Sequence, residues 1–361
     1  MSFRWQGVTM ARPATIQGPG VFLAQFIGDA PPFDSLAGLA GWAAGLGFRG
    51  VMVPTHDARI LDVEAVARDG ARADEVRAAL ADRGLVLTEL AAHRFGWLLA
   101  HHPAYAVAAE RMAPREVGDR VAWAGARLRL VARVCRALGV SRCAVFSGAL
   151  LWPYVHPWPL RDPGLIAEGF AELARRWRPI VEVFDEAGVD LCVEPHPGCD
   201  VHDGVTFERF RAALGNHPRV KLLYDPSHMV IQGMDHLGFI DAYAPLIAAF
   251  HVKDAEFHRS ARSGAFGGFQ GWIDRPGRYR SPGDGAIDFR AVFSRLSQHG
   301  YGGWATLEWE CCLKRAEDGA REGAAFIARH IIAVTRHDFD AALQGHRLAP
   351  GEIARALGLR P

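Results

Sequence analysis

Four residues far apart in the chain are of metal-ligand type, and each stands where a short apolar run gives out. The run from Leu191 to Val193 ends on Glu194, with His196 two residues on. The run from Leu222 to Tyr224 ends on Asp225, and His228 follows. Ala249 and Phe250 lead into His251, Lys253 and Asp254, and the run from Ala305 to Leu307 leads into Glu308 and Glu310. Three carboxylates brought together repel and raise one another's pKa, a conflict that a divalent cation removes. An oxygen-rich set with one imidazole suits Mn²⁺, Mg²⁺ or Co²⁺ with positions left open for a substrate, whereas a closed structural zinc site would draw on thiolates and histidines. Each residue also has an ordinary reading. A strand-end carboxylate serves as a helix cap, a salt-bridge partner or a solvated group, and His251 alone reads equally as a satisfied core histidine. Recurrence at four successive strand ends carries the metal reading.

These residues meet only if their strands lie side by side. Short runs rich in Val, Ile, Leu and Phe predict strands at 21–26, 48–54, 85–92, 142–147, 190–194, 221–225, 248–252 and 304–308. Longer Ala/Leu/Arg segments with helical periodicity predict helices at 33–46, 63–83, 115–138, 165–187, 207–214, 237–243, 289–299 and roughly 314–335. Eight strands each followed by a helix is the count of an α/β (β/α)8 TIM barrel, in which reactive groups gather at the C-terminal strand ends. The separations of 31, 26 and 57 residues between the four candidates correspond to one βα unit, a second, and a third enlarged by a loop. The alternative is an open doubly wound sheet, against which no GxGxxG or phosphate-binding loop follows an early strand. The barrel is expected over residues 1–337 as a single domain. It carries a long Gly-, Arg- and aromatic-rich loop at 259–285 after the seventh strand and a C-terminal extension at 338–361, with a Pro350-Gly351 break and room for one short helix.

Half of the 361 residues are hydrophobic and 22% are charged, the balance of a soluble globular protein with a large core. The net charge of +1 gives no general pull towards nucleic acid or anionic membrane. The first residues lack the pattern of a secretory signal, the apolar stretches are too short to span a bilayer, and the six cysteines show no CxxC spacing. A cytoplasmic location is the default expectation. In the loop, Arg259, Arg262, Arg275, Arg278 and Arg280 alternate with Phe266, Phe269, Trp272 and Tyr279. That interleaving suits either phosphate or nucleic-acid contact or a lid whose arginines sit in ion pairs, and the near-neutral charge favours the lid.

The segments Val193-Glu-Pro-His-Pro-Gly, Tyr224-Asp-Pro-Ser-His, Phe250-His-Val-Lys-Asp and Leu307-Glu-Trp-Glu together resemble the xylose isomerase-like TIM barrel superfamily. Within it they resemble the sugar phosphate isomerase/epimerase branch, related to ketose 3-epimerases and inosose dehydratases. The likeness runs across most of residues 20–335. It implies one divalent metal ion, Mn preferred with Mg, Co or Zn compatible, held by Glu194, Asp225, His251 and Glu308. Glu308 and Glu310 share strand parity, and the family match selects Glu308. It also implies that His228 lies beside the metal and contacts a substrate oxygen. The family usually places an acidic residue after the final Glu, where this chain has Cys311. The mechanism implied is proton transfer through a metal-stabilised enediolate on a ketose or aldose, phosphorylated or not, with Glu194 and Glu308 as the catalytic pair.

His93, His196 and Lys253 are further substrate-binding candidates, and His228 or Lys253 is an alternative mover of a hydroxyl proton. Asp254 is placed to orient His251, as another acceptor would be, while Trp152, Trp158 and Trp272 are candidates to stack on a sugar ring. Rival readings are a lyase on the same site, such as an inosose-type dehydratase or a keto-sugar β-eliminase, and a non-catalytic carbohydrate-binding barrel. A nuclease of the endonuclease IV type would need three zincs and more ligands, with His56, His93 and His196 the residues to supply them. The partner expected is a small sugar or cyclitol, with no nucleic acid or membrane. By analogy with related enzymes a homo-oligomer is open, with Phe339, Leu343, Leu348, Ile353 and Leu357 able to pack on the barrel or on a second subunit.

Overall fold

The computed structural model describes residues 12–335, 339 and 348–359. Its first seven strands are β1 (Gln17–Phe22), β2 (Gly50–Pro54), β3 (Val86–Ala91), β4 (Arg142–Val145), β5 (Asp190–Val193), β6 (Val220–Tyr224) and β7 (Ile247–Val252). Next come β8 (Asp254–Phe257) and β9 (Gly277–Arg280), an antiparallel ribbon outside the main sheet. Finally β10 (Trp304–Leu307) inserts between β7 and β1, closing an eight-stranded parallel barrel. The protein is thus a (β/α)8 barrel with helices outside. Around the wall, β5, β6, β7 and β10 are consecutive neighbours. No helix among the described residues is long and apolar enough to cross a membrane.

Two apolar layers build it. The larger lies between strands and outer helices, where the helix Pro163–Ala187 buries Phe170, Leu173, Trp177, Ile180, Val181 and Phe184 on one stripe. The smaller fills the barrel interior with Phe22, Met52, Ala91, Ala144, Cys192, Leu223 and Ala249. Successive side chains alternate across a strand. The residues two positions beyond Cys192, Leu223 and Ala249 therefore face the same interior one layer higher, and they are Glu194, Asp225 and His251.

The first strand begins earlier than its apolar run. Gly18, Pro19 and Gly20 read as breakers, yet β1 starts at Gln17, and residues 23–26 turn into a 3-10 helix. Gly20 pairs with Thr306, and a Cβ there would lie 3.1 Å from the Thr306 hydroxyl, so a glycine lets the two strands close up. The helix expected at 63–83 is two, Val63–Arg68 and Gly70–Ala81, because Asp69 ends the first in extended conformation and caps the second through the Ala71 amide.

Two short helices, His93–Leu99 and Ala106–Met112, occupy what reads as loop after β3. The first passes so close to β4 that a Cβ on Gly96 would collide with the Phe146 carbonyl oxygen. Gly96→Ala is expected to cost about 1–3 kcal/mol through overpacking and to draw His93 out of position. Urea unfolding of the variant beside wild type checks this, and a change below a few tenths of a kcal/mol would contradict it.

The boundary expected at 337/338, Leu343 and the first eleven residues lie outside the described residues. Beyond them, Pro350-Gly351 opens the helix Pro350–Ala356 instead of breaking the chain, since proline suits a first helical position. Phe339, Leu348, Ile353 and Leu357 are exposed.

Candidate metal centre

Glu194, Asp225, His251 and Glu308 converge at the C-terminal mouth of the barrel. One ligand atom from each lies within 4.8 Å of all the others, and all four residues are buried. Glu194, Asp225 and Glu308 each follow the last residue of a strand, and His251 is the penultimate residue of β7.

Asp225 shows the ordinary and the chemical reading in one side chain. Its Oδ1 accepts from the Ser227 amide at 2.8 Å, capping the short helix Pro226–Val230. Its Oδ2 is buried without a hydrogen-bond donor. A buried carboxylate oxygen without a donor, with only His228 Nε2 at 3.4 Å and Lys253 Nζ at 3.9 Å beside it, is costly, and a cation among the four donors would satisfy it. The four donors therefore fit one hard divalent ion, three oxygens and one nitrogen.

The surrounding groups set the charges. Burial alone would raise the pKa of Glu194, but hydrogen bonds from His228, His251 and His93 outweigh it and hold the carboxyl well below its usual range. His228 Nε2 lies 3.1 Å from Glu194 Oε1, and His93 Nε2 lies 3.0 Å from Oε2. Burial likewise opposes ionisation of Glu308, yet Lys253 and His251 keep its pKa low. Glu308 is held by His251 Nδ1 at 2.8 Å, Gln25 Nε2 at 3.0 Å and Lys253 Nζ at 3.3 Å. Asp225 differs, since burial pushes its pKa up to about 6 despite His228 and Lys253. Burial opposes a charge on His251, but Glu308 and Glu194 raise its pKa well above the ordinary value.

The other candidates divide. His93 touches the cluster through Glu194. His196 hydrogen-bonds the Pro197 carbonyl through Nδ1 at 2.5 Å, packs on the His228 ring at 4.1 Å and keeps Nε2 for another partner. Burial, followed by the neighbouring His228, holds its pKa well below the usual value, so it is neutral. His228 is fully buried with both nitrogens engaged, Nε2 by Glu194 and Nδ1 by the Tyr279 hydroxyl at 2.8 Å. Lys253 is buried, its ammonium 2.8 Å from Glu310 and 4.4 Å from the Tyr279 ring centre. Glu310 thus stands outside the four-donor set, on Lys253.

Asp254 does not orient His251. Its carboxylate accepts from the amides of Ala255, Gly283, Gly285 and Ile287, fastening the end of the loop, while His251 Nε2 faces Met52 Sδ at 3.3 Å. Of the three tryptophans only Trp272 reaches the mouth. Trp152 packs against His202 and lines a separate cavity with Asp200, and Trp158 is largely exposed.

The long loop is anchored by the ribbon of β8 just before it and β9 within it. Glu256 on β8 binds Arg278 and Arg280 on β9, each at 2.6 Å, which takes two of the five arginines out of any ligand-binding role. The same ribbon delivers Tyr279 to His228 and Lys253. Burial opposes the charge on Glu256, but Arg280, Arg278 and His258 bring its pKa down to about 2. A depressed carboxyl pKa stabilises the fold fully above the unfolded value of 4.5 and progressively less as pH falls towards about 2. Glu256→Gln should therefore cost about 1–3 kcal/mol at pH 7 and flatten the acid limb of stability in that window. Denaturant melts at pH 7, 4 and 3 read both effects, and parallel pH curves for variant and wild type would contradict the assignment.

Two adjoining cavities of about 370 and 520 Å³ open beside the cluster, sharing Gln25, His196 and Glu310, and Glu308 of the four donors lines the first. These volumes suit a small ligand. Gln25, Arg94 and Tyr279 are the mouth residues that a reading by strand ends misses. Gln25 follows β1 by only three residues, and its position as the first polar residue beyond that strand is the one signal pointing to it.

The family model described as xylose isomerase-like TIM barrel matches residues 40–330. The rhizopine catabolism protein MocC of Rhizobium meliloti is 30% identical over 152 residues, 42% of this chain and 46% of that protein. An inosose dehydratase of Bacillus velezensis is 33% identical over 130 residues, 36% of this chain and 43% of that enzyme. The chain thus spans less than half the length of these curated relatives. Among solved structures, the 3-keto-D-glucoside 4-epimerase YcjR of E. coli superposes with a TM-score of 0.60 at 16% identity, covering 86% of this chain and 98% of that one. That likeness concerns the fold. With the eight-stranded barrel and a family match over most of its length, this chain belongs to the xylose isomerase-like TIM barrel family.

Proposed function

We propose that the chain is a divalent-metal-dependent sugar isomerase or epimerase that moves the proton on the carbon beside a carbonyl of a ketose or aldose. The observation that carries this reading is the cluster of four buried donors, with the Asp225 oxygen that lacks a hydrogen bond, beside a sugar-sized cavity that Glu308 and the Glu194 partner His93 line. Glu194, Asp225, His251 and Glu308 would hold the ion, which when bound supplies positive charge to substrate oxygens where negative charge develops.

The rest falls to the side chains. Glu194 and Glu308 are the two low-pKa carboxylates of the floor, on strand ends separated by β6 and β7. One takes the proton from one side and the other returns it. His93 and His228 fix Glu194, while Gln25 and Lys253 fix Glu308, so each carboxylate is held in one orientation. Neutral His196 is available to a substrate hydroxyl, and charged Lys253 has a proton to give to a substrate oxygen. Phe22 and Phe146 offer apolar surface in the same cavity.

A lyase is the second reading, favoured by the inosose dehydratase at 33% identity. It starts from the same proton removal and adds departure of hydroxide from the next carbon. Proton NMR in D₂O of the Mn²⁺-loaded protein with D-fructose, D-tagatose, D-xylose and a 2-keto-inositol separates them. Deuterium exchange with a new epimer or isomer supports the first reading, and an alkene signal with loss of water supports the second. Absence of exchange in all four would overturn both.

A further inference from the structure

Arg94 is the one arginine of the 370 Å³ cavity, which it lines with Gln25, His56, His93, Trp97 and Met112. It is half-buried, and burial lowers its pKa by more than the charge of Asp57 raises it. Among the described residues it has no ion pair and no hydrogen bond. The nearby carboxylates already have other partners. Asp57 is gripped by Arg59 through Nε at 3.1 Å and Nη2 at 2.7 Å. Glu310 on the cavity wall is held by Lys253 at 2.8 Å, Glu308 by Lys253, His251 and Gln25, and Glu194 by His93 and His228. A guanidinium drawn partly out of water in this cavity, with Asp57 acting on it only through space and no carboxylate bonded to it, is costly, and an anionic ligand repays that cost. His56, whose pKa burial and then Arg94 push down to about 4, is neutral and adds a hydrogen-bonding group without competing for the anion.

We infer that the ligand of this cavity carries an anionic oxygen group, a carboxylate or a phosphate, which Arg94 receives while the reacting carbons lie at the four-donor floor. The inference rests on the carbohydrate reading above and narrows it from sugars in general to acidic sugars or sugar phosphates. A planar guanidinium pairs with either group through two parallel hydrogen bonds. Arg94 is one residue beyond His93, which touches Glu194, so the same short helix that steadies the floor presents the anion's partner.

The test uses three six-carbon keto compounds on the Mn²⁺-loaded protein, one neutral and two anionic, with binding followed by calorimetry: D-fructose, D-fructose 6-phosphate and 5-keto-D-gluconate. At least one anionic probe should bind wild type about tenfold or more tightly than D-fructose, and which one does so tells phosphate from carboxylate. Arg94→Gln should remove that advantage while leaving the D-fructose affinity within about twofold, and Arg94→Lys should restore part of it. Circular dichroism and Mn²⁺ content of both variants establish that the fold and floor are intact. Equal binding of all three probes to wild type, or an equal loss for neutral and anionic probes in Arg94→Gln, overturns the anion site and leaves the carbohydrate reading standing. Failure of all three to bind overturns both.

Discussion

The Glu194→Gln/Asp225→Asn double variant should retain no stoichiometric divalent ion, where wild type loaded with Mn²⁺ retains about one per chain. Its activity should fall by at least about 10³-fold on the proposed mechanism, because the charge presented to a substrate would be lost together with one of the two carboxylates proposed to transfer the proton. The substitutions conserve shape, so the barrel should fold. They remove the orphaned Asp225 oxygen and the carboxylate between His93 and His228. Elemental mass spectrometry measures the metal. Thermodynamic linkage offers a readout free of catalysis: Mn²⁺ at a hundredfold its Kd should stabilise wild type by about 2.7 kcal/mol and the double variant not at all. Equal metal content in both proteins would sink the four-donor assignment, and about three zincs per chain would revive a nuclease.

Lys253→Met should cause the largest loss of stability of any single substitution at the mouth, about 3–5 kcal/mol in the metal-free protein. The ammonium lies within 2.8 Å of Glu310, 3.3 Å of Glu308 and 3.9 Å of Asp225, with Tyr279 beneath it. Burial disfavours its charge, but Glu308, Glu310 and Asp225 overcome this and raise its pKa. Methionine keeps the bulk and removes the charge, which leaves the carboxylates facing one another. Adding Glu310→Gln should recover part of the loss, and the non-additivity of that cycle measures the pair. Saturating Mn²⁺ should narrow the gap between variant and wild type. Urea unfolding reads all three effects, and a loss below about 1 kcal/mol would mean that the lysine is effectively solvated.

How much of this could be read in the chain follows from which interactions are local. The strand ends were legible because Glu194, Asp225, His251 and Glu308 each interrupt an apolar run, and a barrel brings such interruptions together. The barrel itself was legible from its alternation. The ribbon was not, because residues 254–280 pair through Glu256 and two arginines more than twenty positions away, and the Gly- and Arg-rich segment between them has the composition of a loop. The helix His93–Leu99 was hidden by its brevity and by Gly96, whose use is steric and visible only beside Phe146. Asp254 misled for the opposite reason: adjacency to the metal-ligand strand suggested His251, while the backbone curls four amides onto its carboxylate. Gln25 carried one weak signal, as the first polar residue beyond β1, and Arg94 carried none, so that its place follows from loop geometry.

The order of strands around the wall gives the mouth two unlike halves. Its candidate donors come from β5, β6, β7 and β10, whereas β1 to β4 contribute Phe22, Met52 and Ala91, with Phe146 just beyond. Heredity could treat those halves separately. Mutations accumulating in the first half of the gene would reshape the greasy wall, and with it the molecules admitted, without disturbing the charge balance written in the second, provided that Gln25 and His93, which hold Glu308 and Glu194, stay in place. A library that recombines the segment up to residue 150 among family members, with Gln25 and His93 kept and the remainder untouched, should therefore be rich in folded proteins with altered ligand preference.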